Sequence, residues 1–594
     1  MIKQSLSVLA FALLIALPAE AQLFSLASGP VSETPSDSRS VNFLDLNNDG
    51  WEDLYISNGL QGGQPDLLYL NDGQGQLIPV TDMDIVEASN PSDGASFADY
   101  NNDGHIDGVI SSWYGAEDLL YLNDGTGNLV YNDDAGIVSG SFAETAAFGD
   151  YDNDGWLDLL ITNSGTSRTN FLYRNLGNNA FERITDHPLV DASKLSRGAI
   201  WGDFNNDRQT DVFVTNEGNS SNDLILGRGN GKYEALTTEP IVTERNSSMT
   251  ASWGDVDNDR DLDVFVGNSG FFVSQNNQLF RNMGGDTFEE VTDDPAVNTS
   301  NCTFGSAFGD YDNDGDLDLV IANGFCNTGL QNTLYENQGD GTFVDASSEL
   351  GTNGSVCSFG AAWGDVNNDG YLDLAVANCK NSSTSAEPAN SLMINQGSGN
   401  NWLKVQLTGT MSNRNAIGAQ LEARAVINGE VTWQLRDVQA QSGYAGQNSL
   451  IAHFGLGSAV LVDTLIVHWP AGNRQILTNL SANQTLSITE VTNISNASTT
   501  PQKELLSFEV FPNLITDSVA ARIQVQNQSG LGLQEGQVFV YNILGQALYQ
   551  EALQVPRGRS ELILDVPSMN LASGTYYVVL HLEGKQLSQQ LIIR

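Results

Sequence analysis

A nine-residue loop with aspartate at its first, fifth and ninth positions occurs seven times between residues 45 and 373. The first positions are Asp45, Asp99, Asp150, Asp203, Asp255, Asp310 and Asp365. The fifth are Asp49, Asp103, Asp154, Asp207, Asp259, Asp314 and Asp369, and the ninth are Asp53, Asp107, Asp158, Asp211, Asp263, Asp318 and Asp373. Position three carries Asp152, Asp257 or Asp312 in three copies and Asn47, Asn101, Asn205 or Asn367 in four. Alternate oxygen-bearing residues in a tight loop converge on one point, which is what a hard cation with six to eight oxygen ligands requires. Calcium, up to seven ions, is the expected cofactor. The backbone carbonyl of position seven, on Trp51, His105, Trp156, Gln209, Asp261, Asp316 or Tyr371, completes each expected ligand set. Metal-free turns are disfavoured, because three or four carboxylates brought together repel unless a cation neutralises them.

Asparagine at position three keeps the oxygen and loses a charge, so the first, second, fourth and seventh loops are expected to bind more weakly. Two loops depart at position six, where Arg208 and Arg260 replace glycine and disfavour the left-handed turn by about 1 kcal/mol. They are expected to bind calcium most weakly or with altered geometry. An EF-hand is excluded, since its twelfth position needs a glutamate and here holds isoleucine or valine, from Ile56 to Val376.

Those apolar residues begin the elements that hold the loops. Runs such as Leu159-Leu160-Ile161 read as strands covered on both faces. An aromatic stands two residues before every first aspartate, at Phe43, Phe97, Phe148, Trp201, Trp253, Phe308 and Trp363, and is expected in the core between neighbouring sheets. The period of 51 to 55 residues suits a four-stranded propeller blade. The seventh copy lacks a fourth strand of its own, and Leu23-Phe24-Ser25-Leu26-Ala27 supplies one that closes the ring.

The loops resemble the FG-GAP or VCBS-type repeats of integrin α-subunit propellers and bacterial surface proteins, over roughly residues 22–400. From 401 to 490 the acidic loops stop. The segments Ile417-Gly418-Ala419, Arg436-Asp437-Val438, Ser442-Gly443-Tyr444, His453-Phe454-Gly455-Leu456-Gly457 and Trp469-Pro470-Ala471-Gly472 resemble the ASPIC/UnbV domain of the cartilage acidic protein family. Gln441 and Gly446 depart from that pattern, and the glycine-rich stretches read as β-turns. Residues 491–506, rich in Asn, Ser and Thr, read as a linker. Residues 507–594 carry Phe511-Pro512-Asn513, Tyr541-Asn542-Ile543-Leu544-Gly545, Leu571-Ala572-Ser573-Gly574-Thr575-Tyr576-Tyr577 and a terminal Leu591-Ile592-Ile593-Arg594. They resemble a type A sorting domain of the type IX secretion system of Bacteroidetes, with an Ig-like fold. The fold class is therefore all-β: a seven-bladed propeller, a small β domain and a C-terminal Ig-like sandwich.

Four cysteines allow three pairings, and hairpin symmetry about each loop favours Cys302 with Cys326 and Cys357 with Cys379. The five histidines have no metal-ligand spacing, and no GxSxG, HExxH or phosphate-cradling loop is present. A net charge of -48 repels nucleic acid. Residues 1–21 read as a secretory signal, with an apolar run from Leu6 to Leu17 and Ala19-Glu20-Ala21 before the cleavage point, and no transmembrane segment is expected in the mature chain. The expected location is outside the cell or attached to its outer surface, in a Gram-negative bacterium of Bacteroidetes type. The expected function is calcium-dependent binding of an extracellular glycan or protein, or scaffolding, without catalysis. An enzyme acting on polysaccharide and a rigid spacer are the alternatives.

Overall fold

The computed structural model describes residues 22–491 apart from 134, 138–140, 166–167, 191–193, 327–330, 355 and 381–385, and, further on, the strands and one short helix between 506 and 593. The signal segment and most of the expected linker lie outside the described residues. Two compact units divide at residue 493.

In the first unit, seven antiparallel sheets of four strands form a closed ring. Their inner strands are Ser38–Leu44, Ser92–Ala98, Ala143–Gly149, Ser196–Gly202, Ser248–Gly254, Thr303–Gly309 and Ser358–Gly364, each followed by the second and third strands in order. Blade seven takes its fourth strand from the N-terminus: Phe24–Leu26 pairs antiparallel with Ser391–Asn395, as the sequence led us to expect. The ninth loop residue is the first residue of every second strand, so each acidic loop is the hairpin between the two innermost strands.

The recurrent aromatics seal the joints between blades. Phe43, Phe97, Phe148 and Trp363 are no more than 1% exposed. Glycine follows the aromatic in five blades and in four of them leaves room for the next blade's ring. A Cβ at Gly149 would stand 2.6 Å from Trp201, and one at Gly364, the residue that closes the circle, 2.6 Å from Phe43. Both expected disulfides are present, Cys302–Cys326 and Cys357–Cys379, with Cα atoms 5.7 and 5.1 Å apart.

The expected boundary near residue 400 is not a boundary between independent bodies. Residues 401–490 form a three-stranded sheet (Ala452–Gly457, Asn401–Thr408, Gln484–Thr489) and a four-stranded one (Glu430–Asp437, Gln420–Ile427, Leu461–His468, Arg474–Ser481) that belong to the same unit as the ring. Their core is continuous with it, Leu403, Ile417, Leu421 and Phe454 clustering with Tyr100, Phe148 and Leu157. This cap has an apolar face that it cannot bury alone, which is why composition marked a change that packing does not respect. The second unit comprises a three-stranded and a five-stranded sheet, and in the latter Lys585–Ile593 lies between Leu514–Ile515 and Gly574–Leu582. Among the described residues no helix is long and apolar enough to cross a membrane.

Candidate functional site

Each acidic loop folds on its own side chains. In blade six Asp310 accepts hydrogen bonds from the backbone N–H of Asp314 (3.1 Å) and Gly315 (3.0 Å), Asp312 from that of Asp314 (3.1 Å), and Asp314 from that of Asp316 (3.0 Å). Asp318 at the ninth position accepts from Tyr311 N–H (3.1 Å) and, across the sheet, from Asn337 N–H (2.9 Å). The same scheme recurs around the ring with small variations. It bends the chain through left-handed conformations at position four, an asparagine with φ between 54° and 62° in all seven copies, and at position six.

The carboxylates of positions one, three and nine converge in blades three (Asp150, Asp152, Asp158) and six (Asp310, Asp312, Asp318), with one oxygen from each within 4.8 Å of the others. In blade five Asp255, Asp257 and Asp259 do the same. The other four blades carry an amide oxygen at position three, so their acidic ligands are fewer. Asp152, Asp255 and Asp257 each turn a buried oxygen, Oδ1, to no hydrogen-bond partner. Burial, reinforced by neighbouring aspartates, pushes Asp150 up to about 7 and Asp107 and Asp211 up to about 8. Carboxylates so placed repel one another, and the donor set fits a hard divalent cation.

Local cations modify the ranking that position three alone implied. Arg174, on the third strand of blade three, reaches Asp152 Oδ2 at 3.0 Å and Asp154 Oδ2 at 3.3 Å, and Arg281 reaches Asp257 Oδ2 at 3.6 Å in blade five. These two blades have the extra aspartate and an arginine that offsets it. Blade six has Glu336 at the equivalent place, whose charge pushes Asp312 and Asp314 further up. In blade seven Lys404 of the cap donates to Asp365 Oδ2 at 2.7 Å. The departures at position six also acquire a role: Arg208 (φ 67°) and Arg260 (φ 75°) take the left-handed turn and direct their side chains to the cap. Arg208 bonds Gln420, and Arg260 pairs with Glu422 at 3.3 Å and lies 5.2 Å from the Trp433 ring.

Two sets of asparagines, neither singled out by the loop pattern, fasten the loops into a ring. The position-four side chain donates to the next loop, as Asn48 does to Gly104 O (2.9 Å) and Asn102 to Gly155 O (3.0 Å), and Asn368 closes the circle on Gly50 O (3.0 Å). The last residue of the third strand donates backwards. Asn337 Nδ2 bonds Leu317 O of its own blade (3.0 Å) and Val256 O of the preceding one (2.7 Å), and Asn71 reaches Val366 O across the seam (2.8 Å). Blade four has Gly227 there, and its Tyr233 hydroxyl donates to Tyr151 O (3.1 Å) in place of the missing amide. The signal for this clasp was in the repeat: asparagine ends six of the seven third strands.

The cap covers the loops and also enters the ring. Leu435 N–H donates to Asp255 Oδ2 (3.3 Å), Gly455 N–H to Asp310 Oδ2 (3.0 Å), and His453 Nε2 lies 3.1 Å from Gly370 O. Residues 440–449 then fill the central channel. Gly446 and Gln447 pair in parallel with Val41 and Asn42 of blade one. Gln447 bonds both backbone groups of Phe97 in blade two (2.8 and 2.9 Å), Tyr444 N–H donates to Thr250 of blade five (2.9 Å), and Asn448 bridges Phe308 O of blade six (3.2 Å) and Trp363 N–H of blade seven (2.9 Å). A Cβ on Gly443 would stand 2.4 Å from Ser306 O, so glycine is required for the passage. The glycine-rich stretch is a turn, as expected; its place at the centre of the ring was not legible.

At the tip of this plug the Tyr444 hydroxyl lies 2.7 Å from Asp93 Oδ2 and 2.7 Å from Glu144 Oε2. A phenol has one proton to donate, so the second contact requires a proton on a carboxyl. Burial and the Glu144 charge hold Asp93 well above the usual carboxylate range. Glu144 is paired with the buried Arg197 at 2.6 Å, which also binds Glu217 at 2.7 Å. The Tyr444 hydroxyl and the Asp93 and Glu144 carboxyls thus form one buried hydrogen-bonded cluster in which Asp93 is the carboxyl held above its usual range.

Three family models match the chain: FG-GAP-like repeat at residues 45–110, 150–214, 203–266, 268–321 and 322–376; ASPIC and UnbV at 409–495; and secretion system C-terminal sorting domain at 509–594. Cartilage acidic protein 1 of Mus musculus is 24% identical over 330 residues, 54% of this chain and 41% of that protein. Its counterpart in Xenopus tropicalis is 26% identical over 443 residues, 73% of this chain and 52% of that protein. The chain therefore spans about half or less of the length of these relatives. The BP39L lectin from Burkholderia pseudomallei superposes with a TM-score of 0.40 at 12% identity, over 60% of this chain and 99% of the lectin. The sorting domain marks a protein that is secreted or held at the outer surface in Bacteroidetes and that engages the type IX machinery.

Proposed function

Because the chain joins FG-GAP-like repeats, an ASPIC and UnbV segment and a C-terminal sorting domain, we propose that it is a calcium-loaded propeller that works outside the cell as a binding or scaffold module. The observation that carries this reading is the closed ring of seven loops whose ninth-position carboxylates are buried and which gather more aspartates than the few neighbouring cations offset. Seven divalent ions would supply that charge, held by positions one, three, five and nine with the position-seven carbonyl. The ions would be structural. The cap's backbone and Lys404 contact the first aspartates of blades five, six and seven, which ties those loops to the cap.

An extracellular glycan or protein is the proposed partner. One observation favours a second reading, an enzyme acting on extracellular polysaccharide: Asp93 and Glu144 converge on one hydroxyl in the channel. Both are buried, Glu144 completely, which weighs against their reaching a substrate.

The test is calorimetric melting of the mature chain before and after exhaustive chelation, with native mass measurement of bound ions. Removal of calcium is expected to lower the melting temperature by about 10 °C or more, since each tightly occupied site contributes roughly 3 kcal/mol at a hundredfold excess over its dissociation constant. An unchanged melt, or a chain that carries no ions, sinks the proposal.

A further inference from the structure

The channel mouth on the side away from the acidic loops gathers aromatic and charged side chains beyond those that touch the plug. Three aromatic residues there have left-handed backbones: Tyr114 (φ 56°), Phe271 (φ 58°) and Phe325 (φ 57°). They follow the second strands of blades two, five and six. For a bulky residue this conformation costs about 1–2 kcal/mol, and such strain concentrates where a side chain must be aimed at a ligand. The rings fall into two groups. Trp113, Tyr114 and Phe142 stand edge to face with centroids 5.4 to 6.1 Å apart. Opposite them, Phe304 contacts Phe271 at 5.5 Å and Phe325 at 5.3 Å.

One arginine joins the groups and a second packs against the phenylalanine group. Arg197 lies 5.4 Å from the Trp113 ring and 5.2 Å from Phe271, and Arg39 lies 4.8 Å from Phe359. Each guanidinium is held by a carboxylate, Arg39 by Asp37 at 2.6 Å and Arg197 by Glu217 at 2.7 Å; the Arg39, Asp37 and Glu217 side chains keep 12%, 9% and 14% of their surface open, and the buried Arg197 meets the mouth through Glu217. Tyr114 and Phe272 are 43% and 54% exposed. The mouth thus offers aromatic faces beside planar arginine–carboxylate pairs.

We propose that this mouth binds an uncharged polysaccharide, the rings taking the apolar faces of the sugars and the arginine–carboxylate pairs their hydroxyls. Charge selects the class. The two arginines are outnumbered by Asp37, Glu144 and Glu217 and the whole chain carries -48, so phosphorylated, sulfated and uronate chains are repelled. A stable protein interface takes about 800 Å² from each partner, with a desolvated apolar centre. Among the described apolar side chains of the mouth only Tyr114, Phe272 and Val273 are well exposed, which is too few. Specificity for a small, neutral, ring-shaped ligand follows from a few convergent polar groups among aromatic walls.

The inference deepens the binding role proposed above and rests on it. Its test is isothermal titration of the full mature chain with neutral glucan, mannan and xylan oligosaccharides, beside uronate and sulfated oligosaccharides and a mixed peptide library, with melting followed with and without chelator. Binding of at least one neutral oligosaccharide is expected. Tyr114→Asn, which tolerates the left-handed backbone, and Phe272→Ala are each expected to weaken it at least tenfold while leaving the melting temperature unchanged. Binding to none of the neutral sugars, binding to acidic sugars or peptides alone, or variants that bind like the parent would overturn the inference. A melt insensitive to chelator would sink the calcium reading instead, so the two failures are told apart.

Discussion

The two ends of the channel are built on opposite principles. At the loop end all seven blades present the same aspartates, the same left-handed asparagine and nearly the same clasp, so each blade does what its neighbours do. At the far end the second residue of the seven inner strands reads Arg39, Asp93, Glu144, Arg197, Met249, Phe304 and Phe359. Four neighbouring blades carry ionisable side chains there and three carry apolar ones. Repetition builds the frame, because a ring of identical joints closes only when each joint is alike; departure from repetition makes one side of the mouth different from the other, which recognition needs. The plug ties the ends together, entering through the loops and presenting Tyr444 to the charged half.

The contrast can be broken most severely at its charged half. Arg197→Met leaves Glu144 and Glu217 without their partner, and removal of one member of a buried ion pair costs about 3–5 kcal/mol. Guanidinium unfolding should show that loss; a change below about 1 kcal/mol would mean the carboxylates are neutral in the folded chain.

The repeating end should respond more evenly. Asn337→Ala removes amide bonds to Leu317 O and Val256 O and leaves buried carbonyls unpaired, at a cost of about 2–4 kcal/mol. Tyr233→Phe in blade four, where one hydroxyl does the same work, should cost about 1 kcal/mol. Equal losses at the two blades would show that the clasp is not what joins them.

The smallest effect sharpens the comparison through pH. Asp93 is held above its unfolded value by burial and Glu144, with Arg39 opposing the shift and Tyr444 hydrogen-bonded to it. The folded chain therefore binds a proton that the unfolded chain gives up above about pH 4, and stability falls as pH rises from there toward the folded value. Asp93→Asn should flatten this contribution and gain on the parent as pH increases, read from denaturant midpoints between pH 5 and 9. Parallel profiles would place the second proton elsewhere.

Much of the loop end was legible because its chemistry is local. A carboxylate at every second residue, a glycine or asparagine at each left-handed position and a recurring aromatic two residues upstream all act within one hairpin. The cysteine pairing followed for the same reason, each bond spanning one hairpin. The asparagine clasp was legible in principle, but an amide at a strand end has many uses, and only the structure shows it reaching 81 residues back to Val256. The effect of Arg174 and Arg281 on the loops was hidden in the same way, as was the docking of Arg208 and Arg260 on the cap.

The amino-acid order alone settled the all-β class, the sevenfold repeat of acidic loops, the N-terminal closing strand and the tail that directs export, because periodicity and short-range steric rules act over a few residues. Tertiary structure alone decided that residues 401–490 cap and plug the ring, that Tyr444 meets Asp93 and Glu144 across 351 and 300 residues of chain, and that aromatics from three blades share one mouth. Contacts so distant in sequence arise only when the ring closes, and no local pattern encodes which side chains then face each other.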